Sequence, residues 1–197
     1  MIYDVMRAIL IWLMRIDDSM LLFVNGIHNP FFDGVMWLIS ARWTWLPFYF
    51  FLVWLLFRYT TRKRALLCLL AIGLLIAASD QTCATLIRPE FERLRPANLA
   101  NPISAFVHTV NGYRGGSYGF PSCHAANTFA LAAFLSLQLK RRWVCVMMFV
   151  WAMVVSYSRM YLGVHYLGDI LCGAVVGSFY AVVLHFLLKY AYRRFDL

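Results

Sequence analysis

The sequence predicts an all-α integral membrane protein, a helical bundle of about six transmembrane helices with an N-terminal amphipathic helix at the membrane interface. Hydrophobic residues make up 62% of the 197 residues and the mean hydropathy is +0.68, whereas a soluble domain is about half apolar. Several apolar runs approach the roughly 20 residues that a spanning helix needs. Tyr and Trp lie near the ends of these runs, as at a bilayer interface. The length suits a single domain, residues 1–197.

The elements follow in order along the chain. Residues 1–18 are predicted to form the interfacial helix; they lack a small-residue cleavage site and end in charge, which does not fit a cleavable signal peptide. Residues 19–40 either span the membrane or break into two interfacial helices, because Asn25, His28 and Pro30 interrupt the run. Spans are predicted at 43–58, 65–87, 123–139, 143–160 and 166–188.

The basic residues predict an orientation. Clusters at 58–64, 140–142 and 189–194 follow runs that cross in the same direction, which places these clusters in the cytoplasm. The loop 88–122 and the turn 159–166 are then extracytoplasmic. Five arginines lie on that disfavoured side, where guanidinium groups suit phosphate oxygens: Arg88, Arg93, Arg95, Arg114 and Arg159. The net charge of +9 comes mostly from the loop clusters, so a nucleic-acid partner is not expected.

Three short stretches carry candidate chemistry: RPEFERLRP (88–96), PSCH (121–124) and SRMYLGVHYLGD (158–169). If the last helix begins near Val164, His165 and Asp169 share one helix face, and the carboxylate can fix the tautomer of the imidazole. Purely structural roles for these residues stay open as alternative interpretations. Arg88 and Arg159 can be interfacial anchors, the His165–Asp169 pair can be structural, and Ser122 can be an N-cap. Glu92 and Arg93 are expected to pair locally, and Asp80 to make a structural hydrogen bond within its apolar run.

The three stretches together resemble the signature of the type 2 phosphatidic acid phosphatase superfamily. That signature is Lys, six residues, Arg-Pro; then Pro-Ser-Gly-His; then Ser-Arg, five residues, His, three residues, Asp. Here Arg88 replaces the lysine and Cys123 replaces the glycine. A thiol nucleophile at Cys123 is the less favoured alternative, because the third stretch already supplies a histidine.

The resemblance implies a metal-independent phosphatase that needs no cofactor, with its site within residues 88–169. In this interpretation His165 attacks phosphorus to form a phosphohistidine, and Asp169 orients it. His124 protonates the leaving oxygen and then activates water. The phosphate would be held by Arg88, Arg95, Arg159, Ser122 and the backbone N–H of Cys123. Arg114, in the loop 113–120, is a candidate head-group contact, although a flexible connector is an equal interpretation of that loop.

A site at the membrane boundary predicts a lipid phosphate or diphosphate as substrate, reached by lateral diffusion in the bilayer. Undecaprenyl diphosphate is the first choice, with lipid A or phosphatidylglycerophosphate as alternatives. A lipid phosphotransferase and a non-enzymatic transporter are the rival classes. The expected location is the bacterial inner membrane, multi-pass, with the site on the extracytoplasmic side. The oligomeric state stays open.

Overall fold

In the computed structural model, which describes residues 1–195, eight α-helices follow one another along the chain. They are α1 (Ile2–Gly26), α2 (Pro30–Ser40), α3 (Leu46–Tyr59), α4 (Arg62–Gln81), α5 (Arg88–Phe91), α6 (Cys123–Leu139), α7 (Arg142–Tyr161) and α8 (Leu167–Arg194). A 3₁₀ turn, Arg42–Trp45, joins α2 to α3, and a π-helical stretch, Thr82–Ile87, joins α4 to α5. The helical bundle predicted from the hydropathy pattern is confirmed.

Helix α6 lies at the centre of the bundle and packs closely against α8. A Cβ atom on Gly173 would lie 2.4 Å from the carbonyl oxygen of Ser122, and one on Gly177 would lie 1.9 Å from that of Ala126. Small residues four apart allow this backbone approach between membrane helices. The contact places the beginning of α8 beside the beginning of α6, where the backbone N–H of Ser122 donates to the carbonyl of Asp169 at 2.9 Å.

The N-terminal region differs in its boundaries from the sequence prediction. The helix predicted over 1–18 continues to Gly26, and α2 is separate, with Asn29 as its N-cap. The backbone N–H of Gly168 donates to Asp17 at 2.8 Å, and Arg159 contacts Ser40. Because both ends of the segment 17–40 contact the same end of the bundle, this segment forms two separate helices at that end. It does not run through the bundle as one span.

Three helical segments are long and apolar enough to cross a membrane within residues 1–195: Arg62–Phe91, α7 and α8. A fourth crossing is counted if α2 and Arg42–Tyr59, which meet at 70°, are one bent span, and α6 is a shorter apolar helix. The number of six spans therefore stays a prediction. The outer surfaces of these helices expose apolar side chains such as Leu70, Val146 and Phe179, which suits contact with lipid chains.

The bundle has two chemically different ends. We call the site end the one formed by α5, the loop 92–122 and the turn 162–166, and the basic end the opposite one. At the basic end the three clusters of positive charge meet: Arg64 stacks on Tyr192 and Arg141 on Tyr59. The lysines and arginines of the three loop clusters therefore lie at the basic end, opposite to the arginines of the three stretches.

Candidate active site

His165 and Asp169 form a buried pair at the site end. His165 is 1% exposed and Asp169 has no exposed surface. Helix α8 begins at Leu167, later than the expected start near Val164, so His165 lies in the turn before the helix. The predicted contact is present nevertheless: His165 Nδ1 lies 3.3 Å from Asp169 Oδ2, which also accepts from the backbone N–H of Tyr166 at 3.0 Å.

The neighbours of His165 define its tautomer. Nη1 of Arg95 lies 3.0 Å from Nε2 of His165. A guanidinium group only donates hydrogen bonds, so Nε2 accepts and the ring proton is on Nδ1, facing Asp169. Burial, followed by the positive charges of Arg95, Arg159 and Arg88, lowers the pKa of His165 well below its ordinary value. The ring is therefore neutral at pH 7, with an unshared electron pair on Nε2.

The arginines of the first and third stretches meet in one cavity of about 930 Å³, together with His124 and His165. Arg88 donates to the carbonyl of Pro121 and to Sγ of Cys123, each at 3.0 Å. Arg159 is 3% exposed and donates to the hydroxyl of Tyr113 at 3.3 Å. The Nε atoms of Arg88 and Arg159 are buried and have no hydrogen-bond partner among residues 1–195. The cavity thus offers unpaired donors to an anion.

Arg95 is held in place by the surrounding backbone. Its Nε donates to the carbonyl of Tyr118 and its Nη1 to that of Val164. Burial, then repulsion from Arg159 and Arg88, lowers the pKa of Arg95 to about 10, which leaves it charged at pH 7. The guanidinium charge is therefore fixed in position beside His165.

The beginning of α6 supplies the second stretch. Ser122 is fully buried and is the N-cap, because its Oγ accepts from the backbone N–H of Ala125 at 3.4 Å. Its predicted capping role is confirmed. His124 follows in the first turn, and its ring lines the cavity beside Cys123. The N-terminus of a helix carries partial positive charge and unpaired N–H groups, so it adds to the affinity of the cavity for anions.

The glycines of the loop 113–120 allow its backbone to pass close to other residues of the site. Gly115 has φ +70°, and a Cβ atom there would lie 3.1 Å from Cδ of Arg95. A Cβ atom on Gly119 would lie 3.1 Å from Oδ2 of Asp169. Both glycines therefore let the loop enclose Arg95 and the His165–Asp169 pair. The guanidinium of Arg114 donates to the carbonyl of Ala97 at 2.7 Å, and Arg114 does not line the cavity.

The sequence did not reveal the role of Arg93. The expected local pair with Glu92 is wrong, since Arg93 binds two other carboxylates: Asp169 at 3.0 Å and Asp17 of α1 at 2.7 Å. Its guanidinium also stacks on the ring of Tyr166 at 4.0 Å. Asp169 thus has a positively charged partner in addition to the neutral ring of His165, and Arg93 ties α1 to this pair. The only sequence signal was the position of Arg93 on the side disfavoured for positive charge.

Arg42 was also missed. It lies in the turn between α2 and α3 and lines the same cavity. Away from these charged groups the cavity becomes apolar, with walls from α3, α4, α6 and α7; examples are Leu52, Leu69, Leu131, Leu135 and Trp151. Asp80 lies between the two regions and accepts from the side-chain amide of Asn127 at 2.9 Å, which confirms the expected structural hydrogen bond.

The helical bundle, with arginines gathered around a histidine–aspartate pair, has the form of a membrane phosphatase. The family model of the PAP2 superfamily matches residues 69–193, and the chain belongs to this superfamily. The family resemblance of the sequence is thereby confirmed, and the protein is a membrane lipid phosphatase of the PAP2 type, a hydrolase of phosphoester bonds.

Several named proteins are similar to this chain in sequence. The chain is 44% identical to the lipid A 4'-phosphatase of Bacteroides thetaiotaomicron, over 89% of this chain and 78% of that one. It is 36% identical to the lipid A 4'-phosphatase of Porphyromonas gingivalis, over 93% and 76%. An undecaprenyl-diphosphatase of Sulfolobus acidocaldarius is 33% identical over 86 residues, which cover 44% of this chain and 39% of that one.

One solved structure supports the fold. The transmembrane PAP2-type phosphatidylglycerolphosphate phosphatase of Bacillus subtilis superposes with a TM-score of 0.65 over 90% of this chain and 87% of that one, at 24% identity. At this identity the likeness concerns the fold alone.

Proposed function

We propose that the protein removes the 4'-phosphate of lipid A through a phosphohistidine at His165. One observation carries the proposal: the guanidinium groups of Arg88, Arg95 and Arg159 and a neutral imidazole line the polar end of a cavity that is otherwise apolar. A phosphate monoester with a hydrocarbon tail matches both parts of this cavity. The charged end suits the transferred group, and the apolar walls suit part of the lipid.

The first half-reaction uses the tautomer set by Asp169. An incoming phosphate takes the N–H of Arg95 that is directed at His165, which frees Nε2 to attack phosphorus. A bond forms between Nε2 and phosphorus, and the bond from phosphorus to the lipid oxygen breaks. His124, which takes up a proton once the anionic phosphate has entered the cavity, gives that proton to the leaving oxygen. The imidazole becomes positively charged, and the fully buried carboxylate of Asp169, at 3.3 Å, offsets this charge.

The second half-reaction reverses the proton transfer. His124, now neutral, takes a proton from water while the water oxygen attacks phosphorus. The bond from phosphorus to Nε2 breaks, phosphate leaves, and His165 is again neutral. Throughout, charge on the equatorial oxygens is stabilised by the three guanidinium groups and the N-terminus of α6. The Nε atoms of Arg88 and Arg159, which have no hydrogen-bond partner among the described residues, are compatible with this role.

The choice of lipid A follows from the relatives, since the two lipid A 4'-phosphatases align with about nine tenths of this chain. Undecaprenyl diphosphate, the first choice from the sequence, has weaker support, because that relative aligns with less than half of the chain. The positive-inside rule favours a cytoplasmic basic end, which supports our proposal that the active site lies on the extracytoplasmic side of a bacterial inner membrane.

A substrate panel with purified protein in detergent tests the proposal. We expect phosphate release with the highest kcat/KM on lipid A, compared with undecaprenyl diphosphate, phosphatidylglycerophosphate and phosphatidic acid. His165→Ala should abolish release, and a cooperative thermal unfolding transition should show that the variant is still folded. Higher kcat/KM on undecaprenyl diphosphate would overturn the substrate assignment. Undiminished turnover by His165→Ala would overturn the nucleophile.

A further inference from the structure

The basic end of the bundle contains a second cavity, of about 450 Å³ and remote from the active site. It lies where α3, α4, α6 and α8 end or begin. Four basic side chains line it, together with neutral polar and apolar groups, and no acidic side chain does so among the described residues. The basic ones are Arg64, Lys140, Lys189 and Arg193. The described lining of the cavity therefore carries basic groups and no carboxylate.

Buried polar atoms in this cavity lack partners. Nε2 of Gln138 and Nδ1 of His185 are buried and make no hydrogen bond within residues 1–195. A buried donor left unpaired is destabilising, and both residues line the cavity. An amide N–H₂ group can donate to an anion, and so can an imidazole that carries a proton on the unpaired nitrogen. The unpaired atoms therefore match a ligand rich in acceptor oxygens.

Membrane orientation alone does not account for this arrangement. The positive-inside rule asks only that lysine and arginine lie on one side of the membrane, and several do so without lining the cavity, among them Lys63, Arg142 and Arg194. Lys140 ends α6 in the left-handed conformation, φ 51°. It joins Lys189 of the last helix at the same cavity. The cavity brings together charges from separate loops.

We infer that this cavity binds the phosphate of an anionic phospholipid, with phosphatidylglycerol as the simplest example. Basic pockets between transmembrane helices bind such head groups. The volume is about fifteen times the share of one liquid water, which gives room for a phosphate with glycerol attached. Phe186 and Leu187, which follow His185 along α8, are exposed, so acyl chains attached to the head group have an apolar helix surface near the cavity.

The test measures binding and does not depend on the proposed catalytic activity. Purified protein in a neutral detergent is titrated with phosphatidylglycerol, with phosphatidylcholine of the same chains, and with glycerol 1-phosphate. Retained lipid is counted by native mass spectrometry, and the unfolding temperature is followed in parallel. Two lysines near a phosphate predict roughly 30-fold weaker binding of phosphatidylglycerol in Lys140→Gln/Lys189→Gln. Lys63→Gln/Arg142→Gln, with the same charge change outside the cavity, is the matched control.

We expect phosphatidylglycerol to bind and to raise the unfolding temperature, with this effect lost in Lys140→Gln/Lys189→Gln and kept in the control. If glycerol 1-phosphate binds with the same dependence on the two lysines, the cavity recognises the phosphate itself from either source. Binding of phosphatidylglycerol alone assigns the cavity to lipid. Equal binding of phosphatidylcholine, or equal loss in both double variants, would overturn the inference. Unliganded unfolding temperatures show whether each variant is folded.

Discussion

Arg93→Gln tests whether a residue outside the cavity positions the catalytic pair. The substitution removes the ion pairs from Arg93 to Asp169 and to Asp17, at 3.0 Å and 2.7 Å. It leaves every residue that lines the cavity unchanged, since Arg93 is not one of them. Because Asp169 has no exposed surface, water cannot readily replace the lost guanidinium. The carboxylate then loses part of its orientation and offsets the charge on His165 less well.

The magnitude follows from the contact that is lost. A hydrogen bond to a charged group contributes about 1.5–3 kcal/mol. A loss of about 2 kcal/mol in the transition state corresponds to a roughly 30-fold lower kcat. KM should change little, because Arg93 does not line the cavity. Arg93→Lys keeps one charge and should recover part of the rate. Asp17→Asn, which breaks only the outer ion pair and keeps an acceptor for Gly168, should have a smaller effect.

The assay is steady-state phosphate release in detergent, with kcat and KM determined separately for each variant. Glu92→Gln is the neighbouring control: Glu92 is exposed and should leave both constants near those of the native protein. A native kcat in Arg93→Gln would refute the positioning role. So would a loss that appears only in KM, or an Asp17→Asn variant more impaired than Arg93→Gln.

Three further predictions concern the nucleophile, the helix packing and pH. Cys123→Gly should keep activity within about threefold, because the substitution keeps the backbone N–H of residue 123 and removes only the hydrogen bonds of the thiol with Arg88 and Cys83; complete loss would favour a thiol nucleophile. Gly177→Leu should lower the unfolding temperature, because overpacking costs about 1–3 kcal/mol and its Cβ would lie 1.9 Å from the Ala126 oxygen; an unchanged temperature contradicts the close α6–α8 contact. His165 has a strongly lowered pKa in the fold, so below its unfolded pKa of about 6.5 only the unfolded state gains a proton, and stability should fall by up to about 1.4 kcal/mol per pH unit. His165→Gln should flatten this loss between pH 6.5 and 5, as measured by thermal unfolding; equal slopes would show that other groups cause it.

The residues gathered at the site could be predicted because each stretch is local. His165 and Asp169 lie within one turn and helix start, and Arg88 and Arg95 lie within one nine-residue segment. The spacing of such groups is fixed by the backbone conformation of a short segment, which the sequence pattern indicates. The start of α8 was placed too early because the turn at Gly163, with φ +68°, and the bond from the Tyr166 N–H to Asp169 begin the helix at Leu167.

The contacts that the sequence could not indicate are long-range. Asp17 and Arg93 belong to separate elements, and nothing in the composition of α1 distinguishes Asp17 from Asp18. The break between α1 and α2 was visible in Asn29 and Pro30. Hydropathy alone could not decide whether this region spans the membrane or forms two separate helices. The region is held at the site end by the contacts of Asn25 with the carbonyls of His108 and Tyr161, and these long-range contacts are not visible in hydropathy. Long-range contacts therefore determine the structure of a segment whose local sequence pattern fits both alternatives.

The first half of α1, from Tyr3 to Met14, is exposed along its length and carries many apolar side chains. Such a helix needs a bilayer beside it to bury them. Since the same helix supplies Asp17, the partner of Arg93, we expect lipid contact along α1 to help hold Arg93, and through it the His165–Asp169 pair, in position. Turnover measured in micelles should therefore be slower than turnover in vesicles, and deletion of residues 1–16 should narrow that gap.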